Sequence, residues 1–252
     1  MIEKELYQKL NEFQGFNSDM LYNDLIILNK QSDFNEDEYN KFIVGFSLLH
    51  QKDPNYQTYQ ELVKNIYKLD NNQIDKLKSN LKKAFPDWIG IEGNDVIEEE
   101  NILKLYLSID NKDIHFFANQ LIAASLKKEY HDLDFKLNNN DTINRRDNIV
   151  IYCNKKNIKN YLELTEELIE ENPQLEFNPP HLLGIPYNKN IYCGIDPNEG
   201  KTSYTEKICE NIYQALENNK NKQEIITTVE KMKAQGKKAI NALISEQEAK
   251  TY

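Results

Sequence analysis

The apolar residues of the first 85 positions recur every three or four residues, which is typical of helices that bury one face. Four segments follow this spacing: Ile2 to Phe13, Tyr39 to Leu49, Tyr59 to Ile66, and Ile74 to Leu81. Asn35, followed three residues later by Glu38, resembles an N-terminal cap for the second segment. Pro86 ends the series, because proline cannot continue a helix. The amino-terminal region is therefore predicted to be helical.

The hydrophobic period changes to two after residues 86–100, a segment with Gly90, Gly93 and an acidic run that is predicted to be a connecting loop. In the sequence ILKLYLSI, residues 102–109, leucine and isoleucine alternate with Lys104, Tyr106 and Ser108. Alternation of this kind is typical of a strand with one buried face. Residues 132–138 alternate in the same way and place Lys136 among the polar positions. A third strand is predicted at residues 148–153.

Helices are predicted between and after these strands. The predicted segments are a helix opened by Asp110 and Asp113, a helix over 158–171, a helix begun by a capping box of Ser203 and Glu206, and a last helix over 222–248 that is broken at Gly236. The chain is thus predicted to be α+β, with a helical amino-terminal region followed by a mainly antiparallel sheet covered by helices. We assign residues 1–100 to the helical region and 101–252 to the core, which together form one compact unit.

Composition narrows the functional classes. The net charge of −10 argues against nucleic acid as a partner, because a phosphate backbone needs a concentrated basic face. No stretch approaches the roughly 18 apolar residues that a membrane span needs, and the amino terminus lacks the order of a secretory signal. The three cysteines have no paired spacing and are expected to be reduced thiols. The protein is expected to stay in the compartment where it is made, unless a specialised secretion system reads an address that is not cleaved.

The two arginines of the chain are adjacent. Of 31 Lys and Arg residues, Arg145 and Arg146 are the two arginines, in a composition rich in Asn, Lys, Ile and Tyr. Where lysine replaces arginine so widely, a retained arginine indicates a need for its planar, bidentate fork. Neighbours in an extended chain point to opposite sides. We therefore expect one arginine to face a ligand and the other to pair with an acid such as Asp147 or to pack outward.

A cationic site follows if the predicted strands share one sheet. The face opposite the core then gathers Lys104, Tyr106, Ser108 and Lys136, with the two arginines at its rim. Ammonium groups, a phenol and an arginine fork are the donors that a phosphate monoester requires. Lys207, in the first turn of the helix that begins at Ser203, adds charge beside free backbone N–H groups. The alternative is an ordinary solvated sheet face in a lysine-rich protein.

Other motifs in the sequence give weaker evidence of function. The segment GIDPNEGKTS resembles a P-loop, but five residues lie between Gly194 and Gly200 instead of four, which argues against nucleotide binding. The four histidines show no metal-ligand spacing, and no metal site is predicted. Among them His181, in a proline-rich loop, is the best site candidate, whereas His115 is expected to pack inside a helix layer and His50 to lie on the surface of the amino-terminal bundle.

The order of features from Leu103 to Leu216 resembles a known family. The run KLYLSI, a helix, LDFKL, RRDNIVIYC, a proline-rich loop and YCGIDPNEGKTSYTEKICENIYQAL is similar to the HopA-type effector domain. That domain occurs in plant-pathogen type III effectors and in the lyase components of class V lanthipeptide and thioamitide pathways. It is in turn similar to the bacterial phosphothreonine lyases, which use a lysine base, a histidine acid on a K-x-H-x-S strand, and arginine or lysine phosphate holders.

The resemblance implies roles for residues of this chain. Lys136 matches the base, and Tyr106 stands where the acid histidine would be, which leaves Tyr106, His181 or His115 as the acid. The candidate phosphate-side residues are Lys104, Arg145 or Arg146, Tyr152, and Lys207, which stands where the family often has arginine. The implied function is elimination of phosphate from phosphoserine or phosphothreonine in a lanthipeptide-type precursor, without metal or cofactor. The partners would be the phosphorylated peptide and a kinase subunit. The implied location is the bacterial cytoplasm, with secretion as an effector as the alternative. The alternative is a non-catalytic effector or peptide-binding pseudoenzyme subunit that uses the same surface to hold a protein partner.

Overall fold

The computed structural model describes residues 2–28, 35–49, 70–91, 102–139, 143–197 and 202–250. The predicted helix over 59–66, the acidic run at 98–100 and His50 lie outside these ranges. The helices are α1 (Ile2–Glu12), α2 (Ser18–Ile26), α3 (Glu36–Leu49), α4 (Asn71–Ala84), α5 (Asn111–Lys127), α6 (Ile158–Glu171), α7 (Tyr204–Glu217) and α8 (Lys222–Lys250). The strands are β1 (Ile27–Leu28), β2 (Trp88–Ile91), β3 (Leu103–Leu107), β4 (Asp134–Asn138), β5 (Asn144–Arg145), β6 (Ile149–Cys153), β7 (Ile185–Pro186) and β8 (Ile191–Ile195).

Side-chain caps fix several helix starts, because the first backbone N–H groups of a helix have no partner within it. Asn35 accepts a hydrogen bond from the backbone N–H of Glu38, and Asp110 caps α5. The Ser203 side chain and Glu206 form a reciprocal capping box at the start of α7. These caps confirm the helix starts predicted from the sequence.

Six strands form one antiparallel sheet in the order β2-β4-β6-β3-β8-β7. Strand β3 lies inside the sheet, with Leu105 opposite Ile151 of β6 on one side and Cys193 of β8 on the other. Strands β1 and β5 form a separate two-stranded ribbon. The fold is therefore α+β with an antiparallel sheet, as predicted.

One face of the sheet carries the larger hydrophobic core. Leu103, Leu105 and Leu107 of β3 are buried there with the alternating apolar residues of β4, β6 and β8. Helices α3, α5 and α6 cover this face and contribute Phe42, Phe117, Tyr161 and other side chains. Burial of apolar surface on this scale is the main source of folding free energy.

A second core joins the amino-terminal helices to the last two helices. Leu6 and Leu10 of α1 and Leu21 and Leu25 of α2 are buried against α7 and α8, in a cluster that includes Ile208, Ile212, Ile226 and Val229. Residue Ile2 of α1 packs against Tyr106, Val150 and Tyr192 on the polar face of the sheet. The amino-terminal helices thus flank the face where the site was predicted.

Two sequence expectations were wrong. The predicted loop 86–100 contains strand β2, which pairs with β4 through Gly90 opposite Lys136. Helix α8 runs through Gly236 without a break. A side chain at this position would clash with Ile185, so glycine allows the helix to approach strand β7. In the described residues, no helix is both long and apolar enough to cross a membrane.

Candidate functional site

The strand register brings the predicted polar residues onto one face. Lys136 of β4 and Tyr106 of β3 both lie opposite Val150 of β6, so these three residues form a row across three strands. In the next row of that face, Lys104 lies opposite Tyr152. The same-face arrangement of Lys104 and Lys136, predicted from alternation, is confirmed. We call Lys104, Lys136 and Arg145 the cationic cluster.

Lys136 has no carboxylate within ion-pair distance among the residues that the structure describes. Its ammonium nitrogen lies 4.5 Å from the ring centroid of Trp88 and 5.9 Å from that of Tyr152. Burial lowers the pKa of Lys136 below the ordinary 10.5, and the positive charge of Lys104 lowers it further. Both effects favour the neutral amine.

Lys104, by contrast, is paired. Its ammonium nitrogen lies 2.7 Å from a carboxylate oxygen of Asp196 and 5.4 Å from the ring centroid of Tyr152. The other carboxylate oxygen of Asp196 accepts a hydrogen bond of 2.8 Å from the backbone N–H of Tyr204, the first residue of α7. Asp196 therefore ties Lys104 to the start of that helix.

Arg145 enters the cluster from the β1–β5 ribbon, where it pairs with Ile27. Its Nε and Nη2 donate to the two carboxylate oxygens of Asp147 at 2.9 and 3.3 Å, and Nη2 also donates to the Tyr22 hydroxyl at 3.1 Å. The guanidinium carbon lies 4.9 Å from the ring centroid of Trp88. Asp147 fixes one edge of the fork, and the residues that the structure describes provide no hydrogen-bond acceptor for Nη1.

Arg146 points elsewhere, and this corrects its assignment as a phosphate holder. Its Nη1 donates to the carbonyl oxygen of Pro180 at 2.8 Å, and its Nη2 binds Glu5 of α1. The side chain is buried, so these bonds replace water. The two arginines are therefore inequivalent, as predicted. However, the arginine that pairs with Asp147 is the one in the cluster.

A buried asparagine network holds the arginine segment in place. Asn148 donates to the Ile109 carbonyl at 2.6 Å and to the side chains of Asn111 and Asn144, each at 3.0 Å. Asn178 donates to the same Ile109 carbonyl and to Asn144. Satisfied polar networks of this kind specify one backbone conformation, because a broken member would leave buried groups unpaired.

Tyr106 and His181 meet at the inner end of the site. Their ring centroids are 4.6 Å apart, and both side chains are buried. Burial lowers the pKa of His181 to about 4 and raises the pKa of Tyr106. The hydroxyl of Thr205, a residue that the sequence did not single out, lies 3.4 Å from the Tyr106 hydroxyl and 3.5 Å from His181 Nε2.

Three other candidates have partners outside the cluster. Lys207 pairs with Glu210 at 3.3 Å on the exposed surface of α7. Ser108 donates to the Pro179 carbonyl at 2.9 Å and so anchors the proline-rich loop. His115 is buried in the core against Tyr39 and Phe42, and burial lowers its pKa to about 3. His115 thus lies in the core and not on the face that carries the cluster, whereas the role of Lys207 as a phosphate holder stays a prediction.

Solvent reaches the site through its half-buried members, Trp88, Lys136, Arg145 and Tyr152, while Tyr106 lies beneath them with 3% of its surface exposed. Within the described part of the chain, no three His, Cys, Asp or Glu side chains are grouped to hold a metal ion. The donors that converge are ammonium, guanidinium and phenol groups, which bind anions.

Two solved structures resemble this chain. The effector protein from Pseudomonas syringae pv. syringae strain 61 has a TM-score of 0.59 and 12% sequence identity over 90% of each chain. The effector protein from Pseudomonas syringae pv. tomato strain DC3000 has a TM-score of 0.56 and 10% identity over 92% of each chain. The chain has the fold of these effector proteins.

The shared effector fold confirms the resemblance seen in the sequence at the level of architecture. At this identity the likeness carries no residue roles, since unrelated activities share folds. No protein-family model matches the chain, and no curated protein sequence matches it. The function is therefore argued from the site.

Sequence reasoning missed four residues that shape the site: Tyr22, Trp88 and Asp196 beside the cationic cluster, and Thr205 beside Tyr106. Trp88 carried a local signal, because Trp-Ile-Gly-Ile alternates polar-face and core-face positions. The other three had none, since Tyr22 lies 123 residues from Arg145 and Thr205 lies 99 residues from Tyr106. Contacts this distant in sequence depend on the tertiary fold.

Proposed function

We propose that this protein is a lyase that eliminates phosphate from phosphoserine or phosphothreonine in a peptide. The observation that carries the proposal is the state of Lys136. A general base at neutral pH must lose its proton readily, and an ordinary lysine with a pKa of about 10.4 does not. Lys136 is half-buried, beside a second ammonium group and without a carboxylate partner among the described residues, and its pKa is lowered.

The other members of the cluster supply phosphate binding. Arg145 has its Nη1 edge available, Lys104 sits across the Tyr152 ring, and Tyr106 lies below them. The short side chain of Val150 lies between Lys136 and Tyr106 in the sheet row and forms the floor. Neighbouring strands are about 4.8 Å apart, so Lys136 and Tyr106 start about 10 Å apart, enough for a phosphorylated side chain between them.

The chemistry is a β-elimination. The neutral amine of Lys136 takes the proton from the α-carbon, and the electron pair of that C–H bond forms the double bond between the α- and β-carbons. The bond between the β-carbon and the phosphate oxygen breaks, and phosphate leaves with its electron pair. Arg145 and Lys104 stabilise the charge that develops on the phosphate, and Tyr106 donates a proton to it. The products are a dehydroamino acid and inorganic phosphate.

The resemblance to lanthipeptide lyase components suggests the biosynthetic setting for this reaction. There a kinase would phosphorylate Ser or Thr residues of a precursor peptide, and this chain would eliminate the phosphate. The shared fold with Pseudomonas syringae effector proteins favours an alternative target, a phosphorylated protein outside the producing cell. Both settings use the same site and the same reaction.

A binding module is the second candidate, and two observations favour it. Lys104 and Arg145 are each already paired with a carboxylate, Asp196 and Asp147, which reduces their net charge. Tyr106 also occupies the strand position where phosphothreonine lyases carry an acid histidine. A surface of this kind would hold an anionic peptide without reacting with it.

Replacement of Lys136 by arginine separates the two functions. Lys136→Arg keeps the positive charge but cannot act as a base, because the guanidinium pKa exceeds about 12. We expect phosphopeptide binding to persist and elimination to fall at least ~100-fold, the usual contribution of a general base. The readout is the peptide mass, which falls by phosphoric acid upon elimination and shows return of a hydroxyl upon hydrolysis.

Lys189→Arg is the matched control, since Lys189 is exposed in the turn before β8. It should behave as wild type. Wild-type protein that binds the cognate phosphopeptide but never yields the dehydro product, with any kinase subunit supplied, would exclude the lyase and leave the binding module.

A further inference from the structure

On its buried side, the Tyr106 hydroxyl belongs to a series of hydrogen bonds in which each donor and each acceptor is defined. The chain of contacts runs from the backbone of the proline-rich loop through His181 and Thr205 to the Tyr106 hydroxyl. All three side chains are at most 3% exposed. In such surroundings most polar groups are paired within the protein, so the donor and acceptor of each bond are set by its neighbours.

The backbone fixes which ring nitrogen of His181 carries the proton. Nδ1 accepts from the N–H groups of Leu183 and Gly184 at 3.2 and 2.9 Å, so it has no proton of its own. A neutral imidazole then carries its proton on Nε2, which faces Thr205. The low pKa of His181 keeps the ring neutral at physiological pH.

The remaining bonds follow from that tautomer. With Nε2–H as the donor, the Thr205 hydroxyl oxygen becomes the acceptor, and its own proton is directed to the Tyr106 oxygen. The Tyr106 oxygen then accepts from behind, and the described residues provide no acceptor for its own proton. The phenolic O–H is thereby left as a donor to whatever anion enters the site.

We propose that Thr205 and His181 are positioning residues that orient Tyr106 as the proton donor to the phosphate, through a one-way series of hydrogen bonds that starts at the Leu183 and Gly184 amides. The inference rests on the proposed function, since the phosphate is the group that receives the proton. His181 itself transfers no proton. Tyr106 gives its proton to the leaving phosphate, and the phenolate that forms accepts the Thr205 hydrogen bond until solvent reprotonates it.

The packing around Tyr106 supports a fixed orientation. At Gly194, opposite Lys104 on β8, a Cβ atom would lie 2.9 Å from both the Tyr106 hydroxyl and its ring. At Gly184 a Cβ atom would lie 3.3 Å from the His181 ring. Both glycines allow backbone to approach the rings closely. The Thr205 hydrogen bond also favours the phenolate, against the effect of burial, and so assists proton release.

The test uses the single tryptophan of the chain as a reporter. Trp88 contacts Lys136 and Arg145, so inorganic phosphate bound in the cluster should change its fluorescence. We expect Thr205→Val to weaken phosphate binding roughly fivefold, because Tyr106 loses its orienting donor. Thr205→Ser, which keeps the hydroxyl, should restore wild-type affinity.

A double-mutant cycle shows whether Thr205 acts through Tyr106. In a Tyr106→Phe background, Thr205→Val should cause no further loss, because the group it orients is gone. An equal additional loss in that background, or wild-type affinity for Thr205→Val alone, would overturn the inference. If Thr205→Val does not fold, nitrogen-15 NMR of wild-type His181 still decides: a proton on Nδ1 would overturn it.

These outcomes separate the inference from the proposed function. A missing dehydro product together with the expected phosphate cycle would reject the lyase and keep the orientation of Tyr106. Normal elimination by Thr205→Val would reject the positioning role and keep the lyase. Absence of phosphate binding at Trp88 would overturn both.

Discussion

The two faces of the central sheet are built from the same strands and depend on different physics. On the core face, Leu105, Phe135 and Ile151 are fully buried among other apolar side chains. On the opposite face, Lys104, Lys136 and Tyr152 alternate with them along the same strands. Each strand therefore carries a structural residue and a candidate functional residue side by side.

The polar face of the sheet restricts the choice of side chains more than the core face does. Core residues are stabilised by buried area, which similar apolar side chains can supply. The cationic cluster instead requires particular partners: Asp196 for Lys104, Asp147 for Arg145, and aromatic rings between the charges. Lys136 is left with an aromatic contact and no carboxylate among the described residues. In the proposed function, that asymmetry separates Lys136 as the base from Lys104 and Arg145 as the phosphate holders.

The largest expected effect is a difference in unfolding free energy between substitutions at Phe135 and Lys136, which are neighbours in β4 on opposite faces of the sheet. Phe135→Ala should lower the free energy of unfolding by about 3–5 kcal/mol, because it leaves a cavity in the core. Lys136→Met should change it by less than about 1 kcal/mol, since it removes a poorly compensated charge. The measurements are denaturant unfolding and phosphate titration by Trp88 fluorescence, where Lys136→Met should lose affinity. Comparable unfolding of both variants would contradict the division of the faces.

A second, smaller effect distinguishes the adjacent arginines. Arg146→Lys should lower the free energy of unfolding by about 1–3 kcal/mol, because a buried guanidinium loses bonds to Glu5 and Pro180, and phosphate affinity should not change. Arg145→Lys should weaken phosphate binding on the order of tenfold through loss of the bidentate geometry at Asp147. Thermal unfolding and phosphate titration of both variants provide the check. Equal effects of both substitutions on phosphate affinity would show that the two arginines share one role.

The smallest effect concerns pH. The proposed base, Lys136, acts in its deprotonated form, so kcat/KM for elimination should rise with pH and level off below pH 10.5, since its pKa is lowered. Lys104→Met removes a neighbouring positive charge, which raises the pKa of Lys136 and moves the inflection of the pH profile upward. Acylation of Lys136 at fixed pH, mapped by mass spectrometry, should slow in the same variant. Lys112→Met, on the exposed surface of α5, is the control, and an unchanged inflection in Lys104→Met would remove Lys104 as a cause.

Local sequence signals predicted most of the fold. Residues 158–171 form a helix with the predicted bounds, and the Ser203–Glu206 box begins α7. Period-two alternation at 102–109 and 132–138 predicted β3 and β4 and the common face of Lys104 and Lys136. These signals succeed because alternation and capping depend on residues a few positions apart. Strand β2 was missed because its four residues follow a proline and include a glycine.

Most partners of the charges were beyond the reach of the sequence, which indicated Asp147 as a partner for one arginine but not for which one. Nothing local indicates that Arg145 stacks on Trp88 while Arg146 binds Glu5, or that Thr205 meets Tyr106. The sequence by itself determined the α+β class, the polar face and the residue types gathered there. The tertiary structure decided which cation is left without a carboxylate in the described residues. Pairing depends on side chains brought together from distant parts of the chain, because the attraction between charges weakens with distance and is screened by salt beyond about 10 Å.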